Sequence, residues 1–471
     1  MISLHETIRV ARDVAVCYRY LVDFSTCEQW DPGVYRAAKR TPGTPRIGTE
    51  FDVTLTVFGR RMTLRYVIES LQADARIELR ATGDGIQSRE VITLTPDAAG
   101  TTEVDYRADF ELTGPMRATG PLVKPLFRRI GRHAVAGLKR ALEIDSRPPR
   151  QGWRSYAADR SLIAAAPAFT ERGYRTLDDK SHSEYMDQRV VVITGATSGI
   201  GRAAAGEYAR LGASVVLVGR DQERLRTTAA HVRDFAGCDA DRVTTILADL
   251  LSIGDVQAAA ARIATAHPRI DVLVNNAGAM FEEHELTGDG LERTVAINLM
   301  APFVLTEGLM DALIAAEGRV VNMSSGGMYL QPLVLDDMNF EHEAFDGTKA
   351  YARAKRGLVA LNRHWARRYA ESGVRFNAMH PGWVATPGVT RSLPGFNRVM
   401  GGFLRDARMG ADTAVWLGAS TAAGQCTGEF FFDRQPHPTA VLPNTAVLPS
   451  QAQSLYGWLR NETGVTVHGL G

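Results

Sequence analysis

Tyr351-Ala352-Arg353-Ala354-Lys355 sets a phenol and an ammonium four residues apart. On a helix that spacing puts both on one face. A cation beside a phenol favours phenolate, so Lys355 is expected to lower the Tyr351 pKa. Tyr351 can then give a proton to a carbonyl oxygen or take one from an alcohol. Ser324 and Ser325 close the apolar run Val320-Val321-Asn322-Met323. A hydroxyl there can hold a substrate oxygen beside the phenol; Ser325 is preferred for this, with Ser324 nearer the strand end and structural. Asn298 interrupts the helical stretch Val295-Ala296-Ile297-Asn298-Leu299, and asparagine is an indifferent helix former. It can bind a water that relays protons to Lys355, the alternative being a capping or core amide. A Tyr–Lys pair at this spacing arises by chance in a chain with 13 tyrosines, so its weight rests on the elements around it.

The first of these is Val190–Thr194, a β-branched run that ends in Gly195-Ala196-Thr197-Ser198-Gly199-Ile200-Gly201 and opens directly into a helical stretch. Such a turn brings backbone N–H groups and a helix N-terminus up to a dinucleotide pyrophosphate. Gly195 permits the tight turn, and Gly199 and Gly201 remove the Cβ atoms that would hold a phosphate or the strand away. The next run, Val215-Val216-Leu217-Val218-Gly219, ends in Arg220. An acid at that place would bind the adenosine ribose hydroxyls and favour NAD(H). Arg220, with Arg202 after the glycine turn, suits a 2′-phosphate instead and predicts NADP(H) over NAD(H). Against this, Arg202 also fits a solvated helix position, and Asp221 can partly neutralise Arg220. Asp249-Leu250 ends a third run, where Asp249 can accept from the adenine amine. Asn275-Asn276-Ala277-Gly278 ends a fourth, where small residues let a cofactor approach the backbone and Asn275 ties neighbouring strands. The runs Val190–Thr194, Ser214–Gly219, 243–249, 272–276, 319–324 and 374–380 alternate with helical stretches. The alternation predicts an α/β fold with a Rossmann doubly wound parallel sheet.

Taken together these motifs resemble the short-chain dehydrogenase/reductase superfamily, over residues 188–471. The resemblance implies that Asn298, Ser325, Tyr351 and Lys355 are catalytic, and that Pro381, Gly382 and Val384 belong to the cofactor site. Thr386 falls where that family binds the nicotinamide carboxamide. In the same family the segment carrying Val389, Leu393, Phe396, Met400, Phe403 and Leu404 folds over the substrate. An apolar lid implies an apolar substrate, the alternative being ordinary helix packing. Trp383 can line the same pocket. A narrower likeness, through Met323–Met328, Phe345–Thr348, His380–Trp383 and Phe430–Arg434, is to a subgroup with an insertion between serine and tyrosine; here residues 329–344 fill it. That departure bears on the choice of serine.

Residues 1–145 read differently. A strand over 2–10 and a helix over 13–24 precede alternating strands at Phe51, Val53, Leu55 and Val57, at Leu64, Tyr66 and Ile68, and at Val104, Tyr106, Ala108 and Phe110. Gly59, Gly83-Asp84-Gly85 and Ala99-Gly100 supply turns. A final helix carries Leu122, Leu126, Ile130, Ala134, Leu138 and Leu142 at four-residue spacing. With Trp30-Asp31-Pro32, this order resembles the helix-grip, α+β fold of the START-like, polyketide-cyclase (SRPBCC) superfamily. The resemblance implies a cavity for a sterol, polyketide, retinoid or acyl chain. His5, His133 and Asp52 are isolated and form no acid–base set. Residues 146–187 read as a linker broken by Arg147-Pro148-Pro149-Arg150, with an apolar piece at 162–169 and the family-like piece 169–174.

A chain of 471 residues with net charge +1 predicts two domains and no nucleic-acid partner. Lys124, Arg128, Arg129, Arg132, Lys139 and Arg140 make the final helix basic, which allows at most peripheral membrane contact. Four scattered cysteines have no metal-ligand spacing. With no signal pattern and no long apolar run, they predict a cytoplasmic protein without a metal, as monomer or homodimer. The expected activity is NADP(H)-dependent interconversion of a carbonyl and an alcohol on a lipophilic molecule, with a hydrophobic-ligand domain in front. The rival is a lipid carrier or cofactor sensor whose Rossmann domain does not turn over. Degenerate sensors lose the tyrosine and lysine that this chain keeps.

Overall fold

A computed structural model describes residues 2–57, 60–83, 85–97, 100–113, 131, 133–144, 146–152, 155, 166–177, 179–386, 398 and 401–468. Some expected features lie outside these residues: Leu122, Leu126 and Ile130 of the final helix, basic Lys124, Arg128, Arg129 and Arg132, turn residues Gly59, Asp84 and Ala99, residues 162–165, and Val389, Leu393, Phe396 and Met400. Contacts divide the chain into two units, Met1–Asp145 with Asp178–Glu184, and Ser146–Leu177 with Tyr185–Gly471.

The first unit is a seven-stranded antiparallel sheet. Its strands are β1 (Ile2–Val10), β2 (Val34–Lys39), β3 (Glu50–Val57), β4 (Arg60–Gln72), β5 (Arg76–Gly83), β6 (Ile86–Pro96) and β7 (Thr102–Leu112), in the order β1-β7-β6-β5-β4-β3-β2. Alternation does the folding work, because successive side chains point to opposite faces. Phe51 and Val53, Leu64, Tyr66 and Ile68, and Val104, Tyr106 and Ala108 are all buried on one face. The expected first helix starts where Asp13 accepts from the Ala15 N–H at 2.8 Å, and it runs Val14–Val22. It stops early because Asp23 accepts from Ser25 N–H and begins a separate turn. Strands β2, β5 and β6 lie outside the sequence expectations; on β6 the inner Ser88 and Glu90 and the outer Val91 blur the alternation. Residues 133–142 form a helix whose Ala134, Leu138 and Leu142 pack into the same core. Gly137 on that helix lies against the Trp30 backbone, and a Cβ there would run into the Trp30 carbonyl oxygen.

The second unit holds a mixed eight-stranded sheet: β8 (Val190–Thr194), β9 (Ser214–Gly219), β10 (Val243–Leu247), β11 (Val272–Asn275), β12 (Arg319–Met323), β13 (Arg375–Met379), β14 (Phe430–Phe432) and β15 (Gln435–Pro436). The order is β10-β9-β8-β11-β12-β13-β14-β15, parallel from β10 to β14. Helices cover both faces, each over its own apolar core. This is the doubly wound Rossmann arrangement expected from the sequence. The seventh parallel strand, β14, is the addition. Among the described residues no single helix is long and apolar enough to cross a membrane, and the bent pair Arg293–Gly308 and Met310–Ala316 that comes nearest is packed within the core.

Gly137→Ala is expected to destabilise the first unit by about 1–3 kcal/mol, since backbone cannot yield to the added methyl as a side-chain end would. A urea titration followed by circular dichroism should show an earlier first transition; an unchanged midpoint would contradict the packing.

Candidate active site

The glycine turn is shaped by close approach. Gly195 has φ +64° and Gly199 φ +52°, both left-handed. A Cβ on Gly195 would lie 2.8 Å from the Ala277 Cα. The same fate meets Gly201, whose Cβ would press on Asn276 and on the Gly195 carbonyl. Helix Gly199–Arg210 follows, and Ser198 at its N-cap makes no side-chain capping bond. Its first N–H groups therefore point out at the sheet's C-terminal edge, the geometry that holds an anion. Asn276 binds the turn from the far side, donating from Nδ2 to the Thr194 carbonyl at 2.8 Å and the Gly195 carbonyl at 3.2 Å. Asn275 donates to Thr306 at 3.0 Å and Asn322 at 2.9 Å, the strand tie expected of it.

Two of the four expected site residues, Asn298 and Lys355, meet at Gly278. A Cβ there would lie 2.7 Å from Asn298 Oδ1 and 3.1 Å from Lys355 Nζ. Asn298 sits in a π-helical turn, Ala296–Met300. Its amide donates to the carbonyls of Ala279 at 2.6 Å and Thr294 at 2.8 Å, while Oδ1 is buried with no hydrogen-bond partner among the described residues. Tyr351 and Lys355 lie on helix Gly347–Arg368, capped by Asp346. Lys355 Nζ lies 5.6 Å from the Tyr351 ring centre and donates to the Met323 carbonyl at 2.8 Å. The Ser325 hydroxyl lies near enough to the Tyr351 phenol to lower its pKa against burial. Ser324 instead donates to the Lys355 carbonyl at 3.2 Å and is buried, a structural role.

One electrostatic expectation is reversed. Burial pushes the Tyr351 phenol up, opposed by the Ser325 hydroxyl. Lys355 exerts no resolved pull on it, because burial drives the ammonium itself down to about 7. An amine that sheds its own proton near neutrality is a weak partner for phenolate.

The adenosine side is more open. Arg202 and Arg220 are exposed, and neither guanidinium makes an ion pair among the described residues. Asp221 is not spent on Arg220; its carboxylate accepts from Arg224 N–H at 2.9 Å and caps the next helix. Thr197 packs near Gly219, and Ile200 near Gly410. Asp249 Oδ1 accepts from Leu251 N–H at 3.1 Å, and Leu250 is buried. Past β13, Gly382 takes φ +79°, Val384 is buried, and Pro381 and Thr386 are partly exposed.

The sequence reading missed a clamp behind this loop. Arg405 is 1% exposed and ion-paired to Asp433 at 2.6 Å. Its guanidinium also donates to the carbonyls of Ala168, Phe169 and Thr170. Trp383 N–H donates to the Phe169 carbonyl at 2.8 Å, and the two rings meet at 5.5 Å. The segment Ala166–Phe169 and Glu171–Arg175, expected within a linker, thus straps the cofactor-side loop. His380 was quoted only as part of a motif. Its Nδ1 accepts from Gly382 N–H at 3.0 Å and its Nε2 is buried without a partner among the described residues. The inserted residues 329–344 are also anchored: Asn339 accepts from Glu292 N–H at 3.0 Å, and Glu343 pairs with Lys349 at 2.8 Å and with Arg353.

Comparison with known proteins agrees with this geometry. Residues 189–394 match the family described as short chain dehydrogenase, and residues 1–143 that described as polyketide cyclase/dehydrase and lipid transport. The chain is 41% identical over 294 residues to dehydrogenase/reductase SDR family member 12 of Bos taurus, spanning 61% of this chain and 91% of that protein. The Homo sapiens protein of the same name is 38% identical over 270 residues, spanning 57% and 84%. Retinol dehydrogenase 13 of Homo sapiens is 30% identical over 252 residues, spanning 52% and 76%.

The Lys355 shift sets a pH signature. Between about 7 and the ordinary lysine value of 10.5, the unfolded chain holds a proton that the folded chain has released. Stability of the cofactor-free protein should therefore rise with pH across that window, by up to about 1.4 kcal/mol per pH unit. Lys355→Met should remove that slope; denaturant titrations at several pH values would show an unaltered slope if the lysine were not the group responsible.

Proposed function

We propose, from the premise that this chain belongs to the short-chain dehydrogenase/reductase family, that it is an NADP(H)-dependent oxidoreductase interconverting a carbonyl and an alcohol on a lipophilic molecule. We place the reductase at residues 188–471, served by the strap at 166–175, and a hydrophobic-ligand domain at 1–145. The observation that carries the reading is the grouping of the Ser325 hydroxyl beside the Tyr351 phenol, with Lys355 Nζ 5.6 Å from that ring and meeting at Gly278 the Asn298 Oδ1, which has no partner among the described residues.

The residues fit a nicotinamide dinucleotide. At Gly195, Gly201 and Gly278 a Cβ would crowd neighbouring protein atoms, and Gly199 takes a left-handed φ; Asn298 Oδ1, without a partner among the described residues, can accept from a donor such as water. Thr197, Ser198 and Ile200 line the pyrophosphate turn with those glycines. Arg202 and Arg220, uncommitted to any carboxylate, would take the 2′-phosphate, and Asp249 and Leu250 the adenine. Asn276, Ala277, Pro381, Gly382, Val384 and Thr386 would flank the nicotinamide half. Bound there, the cofactor supplies or accepts hydride at the substrate carbon.

The chain's own residues move the proton. Ser325 holds the substrate oxygen against Tyr351, and the phenol donates to that oxygen in reduction or accepts from it in oxidation. Burial raises the Tyr351 phenol, which holds the proton that reduction of a carbonyl needs. Lys355 holds the nicotinamide ribose, and a water on Asn298 Oδ1 returns protons to Lys355 from outside. The lipophilic substrate is supported by the likeness to a protein named for retinol, a lipophilic alcohol, and by the lipid-transport family matched in the first unit.

Tyr351→Phe should lower kcat by about a hundredfold or more, the range for loss of a positioned acid, while NADPH affinity holds. Stopped turnover with intact cofactor binding by calorimetry is the expected result, and retained turnover would overturn the assignment. Arg220→Asp should weaken NADPH by about 10–100-fold, the value of a charge-assisted phosphate contact. Fluorescence titration giving equal NADPH affinity in both proteins would remove the 2′-phosphate role.

A further inference from the structure

The inner face of β6 carries Ile86, Ser88, Glu90, Ile92 and Leu94, all buried. Glu90, only 2% exposed, is the one carboxyl in a row whose other members are Ser88 and three aliphatic side chains. It is satisfied by two phenols from other strands: Tyr66 on β4 donates to Oε1 at 2.7 Å, and Tyr106 on β7 donates to Oε2. Both phenol protons are therefore spent on Glu90. Tyr106 meets the Trp30 ring edge-on at 6.2 Å, and Phe24 closes on Trp30 at 6.4 Å. The carboxyl thus fixes Tyr106, and Tyr106 with Phe24 fixes the indole. Trp30 is 5% exposed, yet its Nε1–H has no hydrogen-bond partner among the described residues. An orphaned donor inside a core costs the full loss of its water unless something accepts from it.

We propose that the Trp30 indole N–H is the recognition point of the first unit, donating to the carbonyl oxygen of an uncharged, apolar ligand. This rests on reading that unit as a hydrophobic-ligand domain, and it adds the functional group that the ligand must carry. The chemistry selects the group. Indole is a donor only, so the ligand must supply an acceptor. Burial raises both the Glu90 and the Asp31 carboxyls, Asp31 to about 7, where the Glu90 charge adds to the shift. A fatty-acid or other carboxylate would add a third acid to the set, so the acceptor is a neutral ketone, aldehyde or ester oxygen. Such a ligand shares its functional group with the substrate read for the second unit.

The test uses the full chain without added cofactor and three naphthalene probes of one shape: 2-acetylnaphthalene, 2-ethylnaphthalene and 2-naphthoate. By calorimetry the ketone should bind at least about five-fold tighter than the hydrocarbon, with the anion weakest. Trp30→Phe keeps a ring and removes the donor; it should erase the ketone's advantage and leave 2-ethylnaphthalene unchanged. Any probe held by the second unit contributes equally to both proteins and drops out of the comparison. A ketone that binds the variant as it binds the natural chain overturns the proposal. Should that variant not fold, indole N–H resonances of the ¹⁵N-tryptophan-labelled natural chain give the answer. One of its six indoles should shift with the ketone and not with the hydrocarbon, and no selective shift overturns the proposal equally. If neither neutral probe binds the natural chain, the ligand-domain reading itself fails, and that outcome is distinct from ketone and hydrocarbon binding alike.

Discussion

The point on which the second unit depends is the parting of β8 from β11. Their ladder ends at Ile193 and Val274. Beyond it the chains turn to opposite sides of the sheet, and buried backbone groups must find partners elsewhere. Thr194 and Asn276 supply them. The Thr194 hydroxyl oxygen accepts from the N–H groups of Asn276 and Ala277, each at 3.0 Å, while the Asn276 amide reaches back to Thr194 and Gly195. Two side chains thus replace the missing rungs and leave a crevice between the diverging ends. Glycine turn, small-residue corner and helix N-terminus all face that crevice, which is where an open α/β sheet binds ligands.

A second layer of amides holds the floor. Asn275 bonds Asn322, and Asn322 bonds Asn362 on the helix that carries Tyr351 and Lys355. Asn362 in turn reaches the carbonyls of Phe376 and Glu429. The helix that carries Tyr351 and Lys355 is therefore indexed to β11, β12 and β13 through side chains with two-sided bonding capacity. The π-turn at Ala296–Met300 belongs to the same logic. One extra residue in a helix swings Asn298 toward Gly278, and such turns concentrate at functional sites.

Much of this was legible in the sequence because it is local. Six parallel strands, the glycine turn and the Tyr351–Lys355 face are set by neighbours within a few residues. β14 was not, because three residues carry no periodicity and its pairing with β13 is decided by the intervening helix. The Arg405–Asp433 clamp was not, because its carbonyl partners lie 235 to 237 residues away. Lys355 misled for a related reason: its spacing from Tyr351 gives a shared face, but burial decides its charge, and burial is a property of the assembled core. Glu90 had a readable signal, since alternation along β6 puts it among Ile86, Ile92 and Leu94. The inner Ser88 and the outer Val91 blur that alternation.

The Arg405 strap has a consequence for how the protein is made. Residues 168–170 leave the ribosome more than 230 residues ahead of the guanidinium that holds them. Asp433, which neutralises that guanidinium, follows later still. At about 5–20 residues per second the strap waits roughly ten to fifty seconds with its carbonyls and the Phe169 ring unclaimed. The loop after β13 accordingly reaches its final form among the last events of synthesis, when nearly all of the sheet already exists.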